Sequence, residues 1–313
     1  MSRSYDREDD HIAASEYLVA IVGPTAAGKS ALALDVARSL DGAIVNADAM
    51  ALYRGMDIAT DKPGMVARQQ VEHHMLDVWP VTTTASVVQY RDAARAAIRQ
   101  VWSRERVPLV VGGSPLYLKA VCDELDVPPT DPQTRARYQR LLDESGAAAA
   151  HRLLADRDPQ AAALIEPSNG RRIVRALEVV ELTGSFAAAL PTPTAWAPTR
   201  WIGIRRTRED LDDRITRRVE QWWSQDALRD EVETLLAAGL TPDSTAGKAV
   251  GYQQMMAALR GELTMAQARD ATITATCKLA RRQERTLRSD DRIVWFEGAD
   301  PDLLVQVLEH LGG

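Results

Sequence analysis

Two rhythms of apolar positions run along the chain. Tyr17-Leu-Val-Ala-Ile-Val22 is an unbroken apolar run bounded by glycine, the pattern of a strand buried on both faces. Ala31 to Leu40 then repeats at helical spacing. Ala43 to Asn46 predicts a second strand and His74 to Val78 a third. Ala85 to Glu105 predicts a long amphipathic helix, and Val107 to Val111 a further buried strand that stops at Gly112-Gly113. Strands alternating with helices imply an α/β fold built on a parallel sheet. From Asp123 to Ala197 no strand pattern appears, only helical stretches broken by Pro128-Pro129, Pro159 and Pro167 and closed by the proline-rich Pro191 to Pro198. This region reads as a helical insertion. Trp201-Ile-Gly-Ile204 returns to the sheet, helices follow through Arg288, and Arg292 to Phe296 predicts a last strand. The organisation expected is a flexible leader (1–16), a first part of the core (17–122), the insertion (123–197) and a completing part with basic helices (198–313).

Composition narrows the class. The 313 residues are 45% hydrophobic and 26% charged, the balance of a globular enzyme rather than a disordered or fibrous chain. No apolar run approaches the roughly 18 residues needed to cross a bilayer. The opening MSRSYDREDDHIAASE lacks the apolar centre of a signal peptide. The only cysteines, Cys122 and Cys277, are far apart and read as small buried hydrophobes of a reducing compartment. A cytoplasmic monomer is the expectation. The net charge of −6 argues against indiscriminate nucleic-acid binding, yet arginines bunch at Arg171, Arg172 and Arg175, from Arg205 to Arg218 and from Arg281 to Arg292.

The strongest motif is Gly23-Pro-Thr-Ala-Ala-Gly-Lys-Ser30, which satisfies G-x-x-x-x-G-K-[ST] and lies between a predicted strand and a predicted helix. Glycines let the backbone wrap a phosphate with its N–H groups turned inward, and the helix N-terminus adds positive potential. Lys29 reaches the terminal phosphate and the Ser30 hydroxyl is a candidate Mg²⁺ ligand. Nucleotide hydrolases and kinases usually end a second buried strand in a metal-supporting Asp. Here Val107 to Val111 ends in Gly112-Gly113-Ser114 instead, and the nearest carboxylate at a strand end is Asp48. In a parallel sheet these strand ends share one crevice, so Asp48, Ser114 and the phosphate loop are expected to converge. Asp48 is a candidate general base, with helix capping or metal support as its alternatives.

The phosphate loop, Asn46-Ala-Asp-Ala-Met50, and Tyr53-Arg-Gly-Met-Asp-Ile-Ala-Thr-Asp-Lys-Pro63 together resemble the opening of tRNA dimethylallyltransferases, the IPP transferase family. The resemblance continues in order through His73-His-Met-Leu-Asp-Val78, Val111-Gly-Gly-Ser-Pro-Leu-Tyr117 and Arg172-Ile-Val-Arg-Ala-Leu-Glu-Val179. It runs on through Arg214-Ile-Thr-Arg-Arg218, Val250-Gly-Tyr-Gln-Gln254 and Lys278-Leu-Ala-Arg-Arg-Gln283, spanning nearly the whole chain. It implies a P-loop NTPase-like sheet with a helical insertion, and transfer of a dimethylallyl group from dimethylallyl diphosphate to N6 of adenosine 37, just 3′ of the anticodon. The tRNAs implied are those reading codons that begin with U.

The resemblance also implies roles. Gly23, Pro24, Thr25, Ala26, Ala27, Gly28, Lys29 and Ser30 would hold the diphosphate, with Arg214 beside them. Asp48 would take the N6 proton, Arg218 would neutralise charge on the leaving diphosphate, and Ser114, where Thr is usual, keeps a hydroxyl near diphosphate or Mg²⁺. Contacts to the anticodon stem-loop are implied for Asp48, Ala49, Met50, Ala51, Pro115, Arg135, Arg171, Arg172, Arg175, Lys278, Arg281, Arg282 and Arg285. Lys278, Arg281, Arg282, Arg285 and Arg288 recur at three- and four-residue spacing, which puts most of them on one helix face. Tyr117 and Tyr252 are candidates for stacking on bases or for core packing. Departures from the pattern are Ala49 for Ser, Ala59 and Asp61 for Gly and Ala, Pro115 for a small or apolar residue, Arg171 for Gln, Gln253 for a basic residue and Cys277 for Arg. A small-molecule P-loop kinase and a non-catalytic RNA-binding protein are the competing readings.

Overall fold

A computed structural model describes residues 17–125, 127–187, 194–224 and 226–312. The expected leader (1–16) and the start of the proline-rich stretch (191–193) lie outside them. Among the described residues six strands form one parallel sheet: β1 (Leu18–Val22), β2 (Gly42–Asn46), β3 (His73–His74), β4 (Val107–Gly112), β5 (Thr199–Arg205) and β6 (Ile293–Glu297), in the order β3-β2-β4-β1-β5-β6. The two central strands explain the unbroken apolar runs. All five residues of β1 are buried, because parallel strands covered on both faces leave no polar side.

The period of two along β1 divides the core. Val19 and Ile21 face a cluster with Ala33 and Val36 of α1 (Lys29–Ser39) and Leu211, Ile215 and Val219 of α8 (Arg208–Trp223). Leu18, Ala20 and Val22 face the opposite cluster, with Tyr90, Ala94 and Ile98 of α3 (Val87–Trp102) and Leu118 and Val121 of α4 (Pro115–Cys122). Each fully buried Leu, Ile or Val contributes about 1.5–3 kcal/mol. Cys122 and Cys277 sit in these two clusters as free thiols, as expected. Ser86 starts α3 with a capping box to Gln89. A third cluster packs Tyr53 and Met56 against α9 (Ala227–Ala237) and α10 (Tyr252–Leu259).

The strand expected at 74–78 is shorter than the pattern implied. β3, which follows the short helix α2 (Met65–Gln70), is only His73–His74, because Met75 and Asp77 take left-handed φ values of 60° and 56° that end the pleat. The helix expected at 85–105 is trimmed to 87–102, with Glu105 at a φ of 57°. Residues 124–194 form a separate compact unit, within the 123–197 read from sequence as an insertion. It is helical: α5 (Pro132–Arg157), bent at Gly146, then α6 (Pro159–Leu164) and α7 (Gly170–Thr183) close over Tyr138, Leu154, Ile173 and Leu177. Inside it Glu178 is wholly buried and accepts from Thr130 Oγ1, the Asp131 N–H, Arg135 and Arg175. Among the described residues no helix is long and apolar enough to cross a membrane.

Candidate active site

The phosphate loop follows β1 and runs straight into α1. Gly23 has a φ of 150°, and a Cβ there would lie 2.4 Å from the Ile204 carbonyl oxygen of β5, so glycine is required for the loop to leave the sheet. Ala26 holds a φ of 66°, a conformation that surrounding contacts must support. Arg214 Nε donates to the Ala26 carbonyl at 2.8 Å, and Arg206 Nε donates to the Ala27 carbonyl at 2.9 Å. On a third side the buried Gln283 accepts the Thr25 N–H at 2.9 Å. In the sequence Arg206 stands out only as part of an arginine run and Gln283 only as part of a motif. Both act on the loop through backbone atoms remote in sequence, which leave no local signal.

A cavity of about 480 Å³ opens over this loop. Lys29, Ser30, Asp48, Asp61, Gly112, Gly113, Arg214 and Arg218 line it, so Asp48 and the loop do converge at the strand ends. Asp48, Asp61 and Arg218 also line an adjoining space of about 90 Å³ with Met50, Trp222, Val250 and Gln283. Asp48 follows β2 and is fixed at both ends. Asn46 Oδ1 accepts its N–H at 3.1 Å, Asn46 Nδ2 donates to its carbonyl at 3.0 Å, and its own Oδ1 accepts the Met50 N–H at 2.8 Å. One carboxylate oxygen is thus committed to the turn that carries Ala49, Met50 and Ala51. Ser114 stands just past the lining glycines as the N-cap of α4, and Pro115 is the first residue of that helix, where a missing N–H costs no intrahelical bond.

Cations outnumber carboxylates around the cavity, where Lys29, Lys62, Arg214 and Arg218 line it with Asp48 and Asp61. Lys29 Nζ donates to the Pro24 carbonyl at 2.7 Å. Burial pushes its pKa down from 10.5 to about 8; the Asp48 carboxylate resists that shift, Arg218 adds to it and Asp61 opposes it. Arg218 pairs with Asp61 at 3.0 Å. Asp61, read from sequence only as a departure, is therefore an electrostatic member of the site, and sits at a left-handed φ of 53°. Its loop is anchored from two sides. Glu231 accepts the Asp57 N–H at 3.1 Å and the Tyr252 hydroxyl at 2.5 Å. Lys62 bridges Asp57 and Asp77 at 2.6 and 2.7 Å.

The residues expected at RNA divide by surroundings. Lys278, Arg282 and Arg285 are exposed along α11 (Met265–Leu287), while Arg281 pairs with Asp212 at 2.6 Å. Arg171 and Arg172 are exposed in the first turn of α7. Arg135 and Arg175 are committed to Glu178, and Arg175 also donates to the Pro128 and Pro129 carbonyls. Base stacking by the two tyrosines is not what the fold provides: Tyr252 is fully buried and bonded to Glu231, and Tyr117 is buried against Tyr90. Core packing takes both.

Known proteins agree with this architecture. The family model described as IPP transferase matches residues 51–290. A tRNA dimethylallyltransferase from Corynebacterium jeikeium is 48% identical, over 94% of this chain and 96% of its own length. One from Salinispora arenicola is 50% identical, over 93% of this chain and 85% of its own. The full-length tRNA isopentenylpyrophosphate transferase of Bacillus halodurans superposes with a TM-score of 0.71 at 34% identity, covering 95% of this chain and 96% of that one. With a phosphate loop, a strand-end aspartate and an arginine pair lining one cavity of the same parallel sheet, this chain belongs to the IPP transferase family.

Proposed function

We propose that the protein is a tRNA dimethylallyltransferase that moves the dimethylallyl group of dimethylallyl diphosphate onto N6 of the adenosine just 3′ of the anticodon, in tRNAs reading codons that begin with U. The observation that carries this reading is that Asp48, Lys29 and Arg218 line one cavity. An exocyclic amine is a poor nucleophile, and a carboxylate within hydrogen-bond reach supplies what it lacks. The N6 lone pair forms the new C–N bond to the allylic carbon, the C–O bond to diphosphate breaks, and the N6 proton passes to Asp48. The bond electrons leave on the diphosphate, where Lys29, Arg218 and the loop N–H groups oppose the growing charge.

Asp48 has one oxygen held by the Met50 N–H, which aims the other without neutralising it. Asp61 pairs with Arg218 and so keeps its guanidinium at the cavity wall, where diphosphate oxygens would meet it. The Ser30 hydroxyl, a hard oxygen donor in the cavity lining, would hold a Mg²⁺ ion. When bound, that ion would supply further charge neutralisation on the leaving group. The target base must leave its stack to enter the cavity. Exposed Lys278, Arg282 and Arg285 on one helix face, and Arg171 and Arg172 on another, suit anticodon-stem phosphates.

The test is nucleoside mass spectrometry of unmodified bulk tRNA incubated with the protein, Mg²⁺ and dimethylallyl diphosphate, with Asp48→Ala in parallel. The expected result is a dimethylallyl-adenosine peak that falls by about 10²–10⁴ in initial rate in the variant. A peak of equal rate in Asp48→Ala removes Asp48 as the base. No peak from folded protein refutes the reaction and turns attention to ATP consumption.

A further inference from the structure

One side chain joins the arginine-bearing helix to the phosphate loop. On α11 the exposed cations Lys278, Arg282 and Arg285 lie on one face, and Ala280, Gln283 and Leu287 are buried on the other. Gln283 Oε1 accepts the Thr25 N–H of the phosphate loop at 2.9 Å. Its Nε2 lies only 2.7 Å from the position a Cβ would take on Gly113, and the Gly23 carbonyl oxygen lies 2.9 Å from that same position. The amide therefore lies between the phosphate loop and the glycine turn that follows β4. A displacement of this turn of α11 must move Thr25 or break this half-buried hydrogen bond.

We propose that Gln283 is a positioning residue that couples RNA seated on α11 to the anion affinity of the phosphate loop. The inference rests on the proposed function for the identity of both ligands. Like charges three and four residues apart repel along a helix, and phosphates laid across Lys278, Arg282 and Arg285 remove that repulsion. The helix turn that carries Gln283 then holds its place, and with it the Thr25 corner of the loop. The sign of the coupling is diagnostic. RNA and diphosphate are both anions, so direct electrostatics make each weaken the other. Mechanical coupling through Gln283 makes each strengthen the other, and by linkage the factor is the same in both directions.

The experiment measures binding of inorganic diphosphate by calorimetry at about 0.15 M salt, a concentration that screens long-range repulsion. Titrations are run with and without saturating unmodified tRNA, on the wild type, Gln283→Leu and Gln283→Glu. In the wild type tRNA is expected to tighten diphosphate at least about fivefold, the lower end of ordinary coupling. Gln283→Leu keeps the size and loses the acceptor, so the factor should fall to one or below. Gln283→Glu keeps an acceptor for Thr25, so it should retain tightening by tRNA although its charge weakens diphosphate itself. Melting temperatures check that each variant folds, and Gln283→Glu serves if the leucine variant does not. A wild-type factor of one or less, or undiminished coupling in folded Gln283→Leu, overturns the inference while leaving the proposed reaction intact. So does loss of the tightening in folded Gln283→Glu. Failure of the wild type to bind either ligand overturns both.

Discussion

Raising the pH should switch this site off through a single lysine. The Lys29 ammonium is pressed by its burial from 10.5 to about 8 in the free protein. A diphosphate bound at the loop needs that ammonium charged, so binding competence is full below this value and is lost as pH rises through it. One pH unit above the pKa leaves about a tenth of the lysines charged, equivalent to about 1.4 kcal/mol of substrate binding. The assay is the initial rate of dimethylallyl transfer at low dimethylallyl diphosphate, which reads kcat/KM and hence the ionisation of the free enzyme. The expected profile is level to about pH 7.5 and falls about tenfold per unit above about pH 8. Two variants assign the limb. Lys29→Arg keeps a charge that does not titrate in this range, so whatever activity remains should lose the limb. Asp61→Asn removes a carboxylate that favours the charged lysine, so the limb should move to lower pH. A profile flat to about pH 10, or a limb unchanged in Lys29→Arg, would refute the argument.

Other consequences are as direct. Glu178→Ala should cost roughly 1–3 kcal/mol by urea denaturation, because it strips the acceptor from Thr130, the Asp131 N–H and the partly exposed Arg135 and Arg175. Burial raises the Glu178 pKa, but the donors Thr130, Arg175, Asp131 and Arg135 outweigh it and the net shift is downward. The stabilisation it brings is therefore present above its unfolded value and is lost as acid carries the pH down through its native one, which an acid melt of wild type against Glu178→Gln will show. Arg282→Ala and Lys278→Ala should each weaken tRNA binding across sequences and reduce the slope of log affinity on log salt by about one, measured by filter binding. Glu231→Ala, which frees the Asp57 N–H and the Tyr252 hydroxyl, should raise KM for the diphosphate substrate by releasing the loop that carries Asp61; an unchanged KM sinks that link.

The chain by itself determined whatever local pattern can encode. Alternating apolar runs and helical repeats revealed the parallel sheet, since covered strands have no polar face. The motif Gly23–Ser30 revealed the phosphate loop, and the position of Asp48 after an apolar strand placed it at the crevice. Where φ values turned positive at Met75 and Asp77, the pattern overran the strand, because composition does not register the one or two dihedrals that end a pleat. Only the tertiary structure decided which partner each polar side chain takes. Arg135 and Arg175, expected at RNA, also pair with a buried Glu178, and of the two openings for Tyr252, stacking or core packing, burial and the bond to Glu231 take the second. Arg206, Arg214 and Gln283 reach the loop from residues far along the chain, and Asp61 meets Arg218 across the cavity. The physical reason is the range of the forces: sterics and hydration set each segment through its neighbours in sequence, whereas a charge or an amide is satisfied by whatever folding brings within about 3 Å.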